Sequence, residues 1–204
     1  MNRSILITAY YPPITYFSAI LNSEEIIIEM QENYNRQTIR NRCYILSANC
    51  VQMLSVPIVK TNNKKITQIE IDYNIPWQNK HAHAIKSAYG KSPFFQYYYE
   101  ELIKPIFKKH RLLIELNNDI LKTCLNILNI STKINYTTTY IKNYVNNNDY
   151  RKIFNKKYPP FLVKNYPIKP YIQTFNDRFD FILDLSIIDL IFNTGYEALL
   201  YLKN

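Results

Sequence analysis

The chain has 204 residues, 47% hydrophobic and 20% charged, which excludes a charge-driven disordered chain and leaves no room for two full domains. Its net charge of +9 invites anionic partners, but 19 Tyr with abundant Asn, Ile and Lys against 2 Gly is the residue usage of an AT-rich genome, so part of that charge is codon bias. No apolar run reaches the roughly 18 residues of a membrane span, and the run before Pro12 is too short for a signal peptide.

Taken in chain order, Ser4–Ala9 is a short β-prone run that ends at Tyr-Tyr-Pro-Pro, and it predicts a buried first strand. Ile14–Leu21 predicts a helix entered through Pro13. Glu25–Met30, with three consecutive isoleucines, predicts a second buried strand, and Arg42–Ala48 with Val51–Val59 predict a hairpin around Asn49-Cys50. In Ile66–Asp72, Thr67, Ile69 and Ile71 alternate with Gln68, Glu70 and Asp72, the pattern of a strand with one wet face.

Pro76 opens a helix that runs to about Gly90, and Ser92 is placed to cap a helix beginning at Pro93, which Pro105 should kink or end. Leu112–Ile130 has apolar residues at helical spacing, and Ile134–Tyr140 is β-prone. Asn143–Pro170 is polar and punctuated by proline, and it predicts a loop. Leu183–Phe192 and Tyr196–Leu202, parted by Gly195, predict two short helices. The result is a mixed α/β (α+β) class in one compact domain over 1–204: N-terminal strands with a hairpin, then a mainly helical C-terminal half.

The charge is unevenly spread. Between Lys133 and Lys169 lie eight basic residues against the single acid Asp149, so this stretch carries +7 of the +9. It reads either as a solvated basic loop or as a patch facing a phosphate-bearing ligand or single-stranded nucleic acid. Cys43, Cys50 and Cys124 form no CxxC pair and no zinc set with His81, His83 and His110. The count fits a reducing cytoplasm, and no motif calls for a metal or cofactor.

Five phrases, in order and spacing, resemble the WbqC-like protein family over most of the chain. They are Tyr11-Pro-Pro-Ile-Thr-Tyr-Phe17, Glu32-Asn-Tyr-Asn-Arg-Gln-Thr-Ile-Arg-Asn-Arg42, Pro76-Trp-Gln-Asn-Lys-His81, Ala88-Tyr-Gly-Lys-Ser-Pro-Phe-Phe95 and Leu185-Ser-Ile-Ile-Asp189. The chain departs from the pattern at Ala82-His83, where the family has Trp-Arg, and through a short, divergent basic region around 136–170. The resemblance implies a bacterial, cytoplasmic protein of O-antigen-type surface-polysaccharide biosynthesis. It implies making or decorating an activated sugar and specifies no reaction. The leading expectation built on it is acyl or aminoacyl transfer to a nucleotide-activated aminosugar, with a nucleotide-sugar or another anionic small molecule as partner. A single-stranded nucleic-acid binder using 133–169 and a non-catalytic assembly partner are the alternatives.

The polar residues of these phrases, Tyr16, Asn33, Tyr34, Arg36, Arg40, Asn41 and Arg42, are the expected ligand contacts. If Thr38–Ala48 is extended, Arg40 and Arg42 share a face and offer paired guanidinium forks to a carboxylate or diphosphate. The competing reading is a structural network with Glu29 or Glu32. His81 is either a general base or a core-edge histidine, and it lies about 200° around the helix from His83, too far for a shared metal. Asp189, an acid in an apolar helix, either orients His81 or pins its own helix. Tyr97–Tyr99 beside Phe94-Phe95 read as a core-and-rim stripe, with a stacking platform as the alternative.

Overall fold

The computed structural model describes residues 2–60, 62, 64–144, 148–161 and 166–203. A four-stranded parallel sheet forms its centre, from β1 (Arg3–Ile7), β2 (Glu25–Glu29), β5 (Lys133–Tyr136) and β6 (Asn148–Asp149), in the order β5-β2-β1-β6. β1 pairs with β2 from Arg3↔Glu25 to Ile7↔Glu29, and on its other side with β6. Ile5, Leu6 and Ile7 are fully buried, because a central parallel strand is covered on both faces and so reads as a continuous apolar run.

α1 (Ile14–Leu21) connects β1 to β2 and buries every residue from Ile14 to Ile20. Pro13 offers its first turn no side-chain acceptor. Asp184 supplies one from across the chain, accepting from the Thr15 amide and hydroxyl at 2.9 Å, and it also takes the Phe161 amide at 2.6 Å. The hairpin β3 (Arg42–Leu46) and β4 (Val51–Ser55) pairs from Arg42↔Ser55 to Leu46↔Val51. Its connection runs over Ser47–Cys50 rather than a two-residue turn, closed by the Ser47 amide on the Cys50 carbonyl at 3.0 Å. Leu185–Ile187 stitches the hairpin to α1: Ser186 donates to the Tyr44 carbonyl, and Ile187 to that of Pro12.

The remaining helices are α2 (Trp77–Tyr89), α3 (Phe95–Phe107), α4 (Leu113–Ile127), α5 (Arg151–Phe154), α6 (Ile187–Thr194) and α7 (Ala198–Leu202). The mixed α/β class, the N-terminal strands with a hairpin and the mostly helical C-terminal half match the sequence reading. One apolar cluster runs from the sheet through α1, α2, α3, α4 and α6.

Three local expectations change. Ile66–Asp72 is a 3₁₀ turn over Ile66–Gln68 followed by single bridges, Ile58↔Ile71 and Glu70↔Leu112. Its buried anchors are Ile66, Ile69 and Ile71, and the first two are three apart, the period of a 3₁₀ turn. Ser92 caps nothing at α3, whose N-cap is Phe94. Its hydroxyl donates back to the Tyr89 carbonyl and closes α2 instead. The Asn143–Pro170 loop contains β6 and α5; its residues 145–147 and 162–165 lie outside the described residues. β6 is two residues long and polar, so no periodicity announces it. Pro105 sits inside α3, which ends two residues later at Phe107.

Gly195 closes α6 at φ 55, ψ −126, a conformation open to glycine alone, and a Cβ there would stand 2.4 Å from the Phe94 ring. Gly195→Ala is therefore expected to cost about 2–3 kcal/mol, a fall of roughly 5–10 °C in thermal midpoint. An unchanged midpoint by calorimetry would refute it.

Candidate functional site

All four strands of a parallel sheet end on the same side, and the loops beyond their carboxyl ends form the usual ligand site of open α/β sheets. Here that edge holds a polar cleft of ≈ 520 Å³, within the size range of small-molecule sites. Gln31, Glu32, Asn33, Tyr34 and Asn35, which follow β2, form one wall. Tyr140, beyond β5, and Asn155, just after α5, form the other, with Arg40 between.

Arg40 is 1% exposed, and its guanidinium organises the cleft. Nε and Nη2 donate as a fork to the two Glu32 oxygens at 2.7 and 2.5 Å, and Nη1 donates to Thr38 Oγ1 at 2.9 Å and Asn155 Oδ1 at 2.8 Å. Asn35 also donates to Asn155 Oδ1, at 3.0 Å. The backbone of Arg40 is held as well, since Asn117 on α4 bridges its carbonyl to Thr8 Oγ1. Such a bidentate, buried pair fixes two walls of a cleft at once.

The turn before the hairpin decides where the arginines go. The backbone over residues 36–41 is turned rather than extended, with Gln37 at φ 61, and strand geometry begins only at Arg42. Arg40 thus faces inward, Arg36 is exposed and Arg42 is half-buried. All three positive charges still converge on Tyr34: burial pushes its hydroxyl up to about 12, while Arg40, Arg42 and Arg36 act in the opposite direction. Arg42 Nε is buried with no hydrogen-bond partner.

Of the expected ligand contacts, Asn33, Tyr34 and Arg40 line the cleft, and the charges of Arg36 and Arg42 act on Tyr34 from outside the lining. Tyr16 is fully buried and donates to the Ile7 carbonyl at 2.8 Å. Asn41 faces the hairpin, donating to the Val56 carbonyl at 2.9 Å. His81 is buried in an aromatic box: Nδ1 meets the Tyr10 hydroxyl at 2.8 Å, and Trp77 stands edge-on at 5.1 Å. Burial lowers its pKa to about 4, against an opposing backbone hydrogen bond to Ser55. At neutral pH the ring is uncharged.

Asp189 lies in the first turn of α6, where a carboxylate is favoured by the helix dipole. Its Oδ2 accepts from Tyr171 and from Gln173 Nε2 at 3.2 Å. Burial raises its pKa, against hydrogen bonds that lower it. No contact joins it to His81 among the described residues, so the imidazole–carboxylate pair does not assemble. His83 lines a separate shallow cleft with Gln52, Asn79 and Lys80.

Gln31, Tyr140 and Asn155 had no sequence signal as cleft residues. Asn35 lies within a quoted phrase but was not singled out, and Glu32 was legible only as an arginine partner. Among the described residues no three His, Cys, Asp or Glu side chains converge as a metal set, and no helix is long and apolar enough to cross a membrane.

The WbqC-like protein family model matches residues 8–156, a span that contains every cleft residue and leaves Asp189 outside. No curated protein and no solved structure matches the chain.

Proposed function

The chain belongs to the WbqC-like family, and on that premise we propose that it binds a nucleotide-activated aminosugar in the cleft at the carboxyl edge of the sheet and serves surface-polysaccharide assembly in the cytoplasm by acyl or aminoacyl transfer. The observation that carries this reading is the chemistry of the lining. The Arg40–Glu32 pair cancels its own charge, which leaves amides and phenols, namely Gln31, Asn33, Asn35, Asn155, Tyr34 and Tyr140. Such groups recognise hydroxyls and N-acyl groups rather than a bare anion.

The diphosphate is assigned to the rim, where the charges of Arg36 and Arg42 act on Tyr34, and exposed Lys156 and Lys157 follow Asn155. In the transfer, the sugar amine forms a bond to the acyl carbon, the donor's leaving group departs with its electron pair, and the amine proton must be accepted. Both oxygens of Glu32, the one carboxylate lining the cleft among the described residues, are held by Arg40, and His81 is buried, so the amine proton passes to water in the open cleft. The basic stretch favours a small anion over a nucleic acid, because Arg151 is turned inward onto Glu29 and Asp149 and Lys133 lies 3.7 Å from Glu25.

The test is thermal stabilisation by UDP-, GDP- and TDP-linked aminosugars at millimolar concentration. At ten times Kd the expected gain is about 1.4 kcal/mol, a rise of roughly 3–6 °C. Arg42→Lys should keep the fold and lose most of that rise, because lysine lacks the bidentate fork. No stabilisation by any member would refute the proposal. A lowered apo midpoint in Arg42→Lys with unchanged affinity would remove Arg42 alone.

A further inference from the structure

The two walls of the cleft share one support that the ligand-binding reading does not use. Arg151 is 7% exposed, at the start of α5, and Glu29, at the end of β2, is 0% exposed. Nη1 of Arg151 donates to Glu29 Oε2 at 2.8 Å, and Nε and Nη2 donate to Asp149 at 2.9 and 2.7 Å. Nη2 reaches further, to the Ile141 carbonyl at 2.9 Å and the Lys142 carbonyl at 3.2 Å. The guanidinium lies 5.3 Å from the Tyr140 ring centroid and 4.9 Å from that of Tyr144. The other Glu29 oxygen accepts the Gln31 amide at 2.8 Å and the Thr137 hydroxyl at 2.6 Å.

One buried ion pair thus ties the strand leading into the Gln31 wall to the loop that carries Tyr140. Tyr140 itself is 56% exposed and lines the cleft. A large, exposed aromatic face fixed at the mouth of an amide-rich cleft is what the apolar C–H face of a pyranose packs on. The cation behind the ring limits its motion, at low conformational cost to binding.

We infer that Tyr140 is the stacking residue for the sugar ring, and that Arg151 is the positioning residue that holds it over the cleft. The inference rests on the sugar-nucleotide reading above. It specifies the ligand further: a pyranose with one unobstructed C–H face.

The experiment is saturation-transfer NMR with the same UDP-, GDP- and TDP-linked aminosugars on the wild type, Tyr140→Phe, Tyr140→Ala and Arg151→Lys. In the wild type and Tyr140→Phe, the sugar C–H protons should receive strong transfer. Tyr140→Ala should abolish that transfer and weaken binding about tenfold, while the nucleotide protons still report contact. Arg151→Lys keeps the charge on Glu29 and loses the bonds to the 141 and 142 carbonyls. It should raise amide exchange over 138–144 about tenfold and weaken binding about as much as Tyr140→Ala. The double variant should bind no worse than Tyr140→Ala alone, a non-additivity that a merely structural arginine would not produce. If the wild type binds no member, the sugar-nucleotide reading falls and this inference with it. If a sugar nucleotide binds and Tyr140→Ala retains both affinity and sugar-proton transfer, this inference alone is overturned. An additive double variant, or unchanged exchange over 138–144 in Arg151→Lys, overturns the role of Arg151.

Discussion

Arg151→Met is expected to destabilise the protein by about 3–5 kcal/mol, the loss that follows removal of one partner from a buried ion pair. The cost falls on what remains. Glu29, with no exposed surface, would keep its hydrogen bonds from Gln31 and Thr137 but lose its counter-charge, and Asp149 would lose the guanidinium that holds its carboxyl below the usual range. Glu29→Ala should be milder, about 2 kcal/mol, because Arg151 retains Asp149 at 2.7 Å. For 204 residues the larger loss corresponds to a drop of roughly 6–20 °C in thermal midpoint. Urea titrations of both variants check the order. Equal losses, or Glu29→Ala the worse, would contradict the shared-arginine account.

His81 gives the second large effect, and it depends on pH. Its folded pKa is lowered by burial to about 4, from an ordinary value of 6.5. A base whose folded pKa is depressed stabilises the fold while neutral. That contribution is complete above pH 6.5 and is lost as pH falls from 6.5 towards 4, because the unfolded chain binds the proton more readily. The shift corresponds to about 3 kcal/mol, at roughly 1.4 kcal/mol per pH unit within that window. Denaturation midpoints measured from pH 7.5 to pH 4.5 should therefore fall steeply below 6.5. His81→Asn can still accept from Tyr10, and should flatten that fall whatever its baseline stability. A wild-type slope matched by His81→Asn would assign the acid sensitivity to another group.

His81 is also where residue identity alone leads furthest astray. A histidine in a polar stretch invites a role as base, and nothing local tells it from a core residue. Its neutrality comes from burial, in a core where its ring meets Tyr10, 71 positions away, and it holds against the opposing hydrogen bond to the hairpin backbone at Ser55. Asp189 is similar: its partners Tyr171 and Gln173 lie in a segment that shows no helical or strand periodicity.

What the sequence by itself determined is local: the apolar runs that become β1 and β2, the helix at Ile14–Leu21, the Arg42–Leu46 hairpin strand, the proline-to-glycine span of α2, and the Glu32–Arg42 phrase that supplies five of the eight cleft residues. These elements are encoded by spacing that neighbouring residues impose on one another. The tertiary structure alone decided the rest. β6 is a polar dipeptide that becomes a strand only because β1 presents an unpaired edge to Asn148 and Asp149. Tyr140 and Asn155 reach the cleft because β5 and β6 join the sheet in parallel, so the residues that follow both strands emerge at its carboxyl edge. The choice between Glu29 and Glu32 as partner for Arg40 was likewise decided in space. The turn at Gln37 brings Arg40 back onto Glu32, and Arg151, 122 residues downstream, takes Glu29. Pairings over such distances leave no periodic trace in the chain, because each depends on a strand register that forms only when the sheet does.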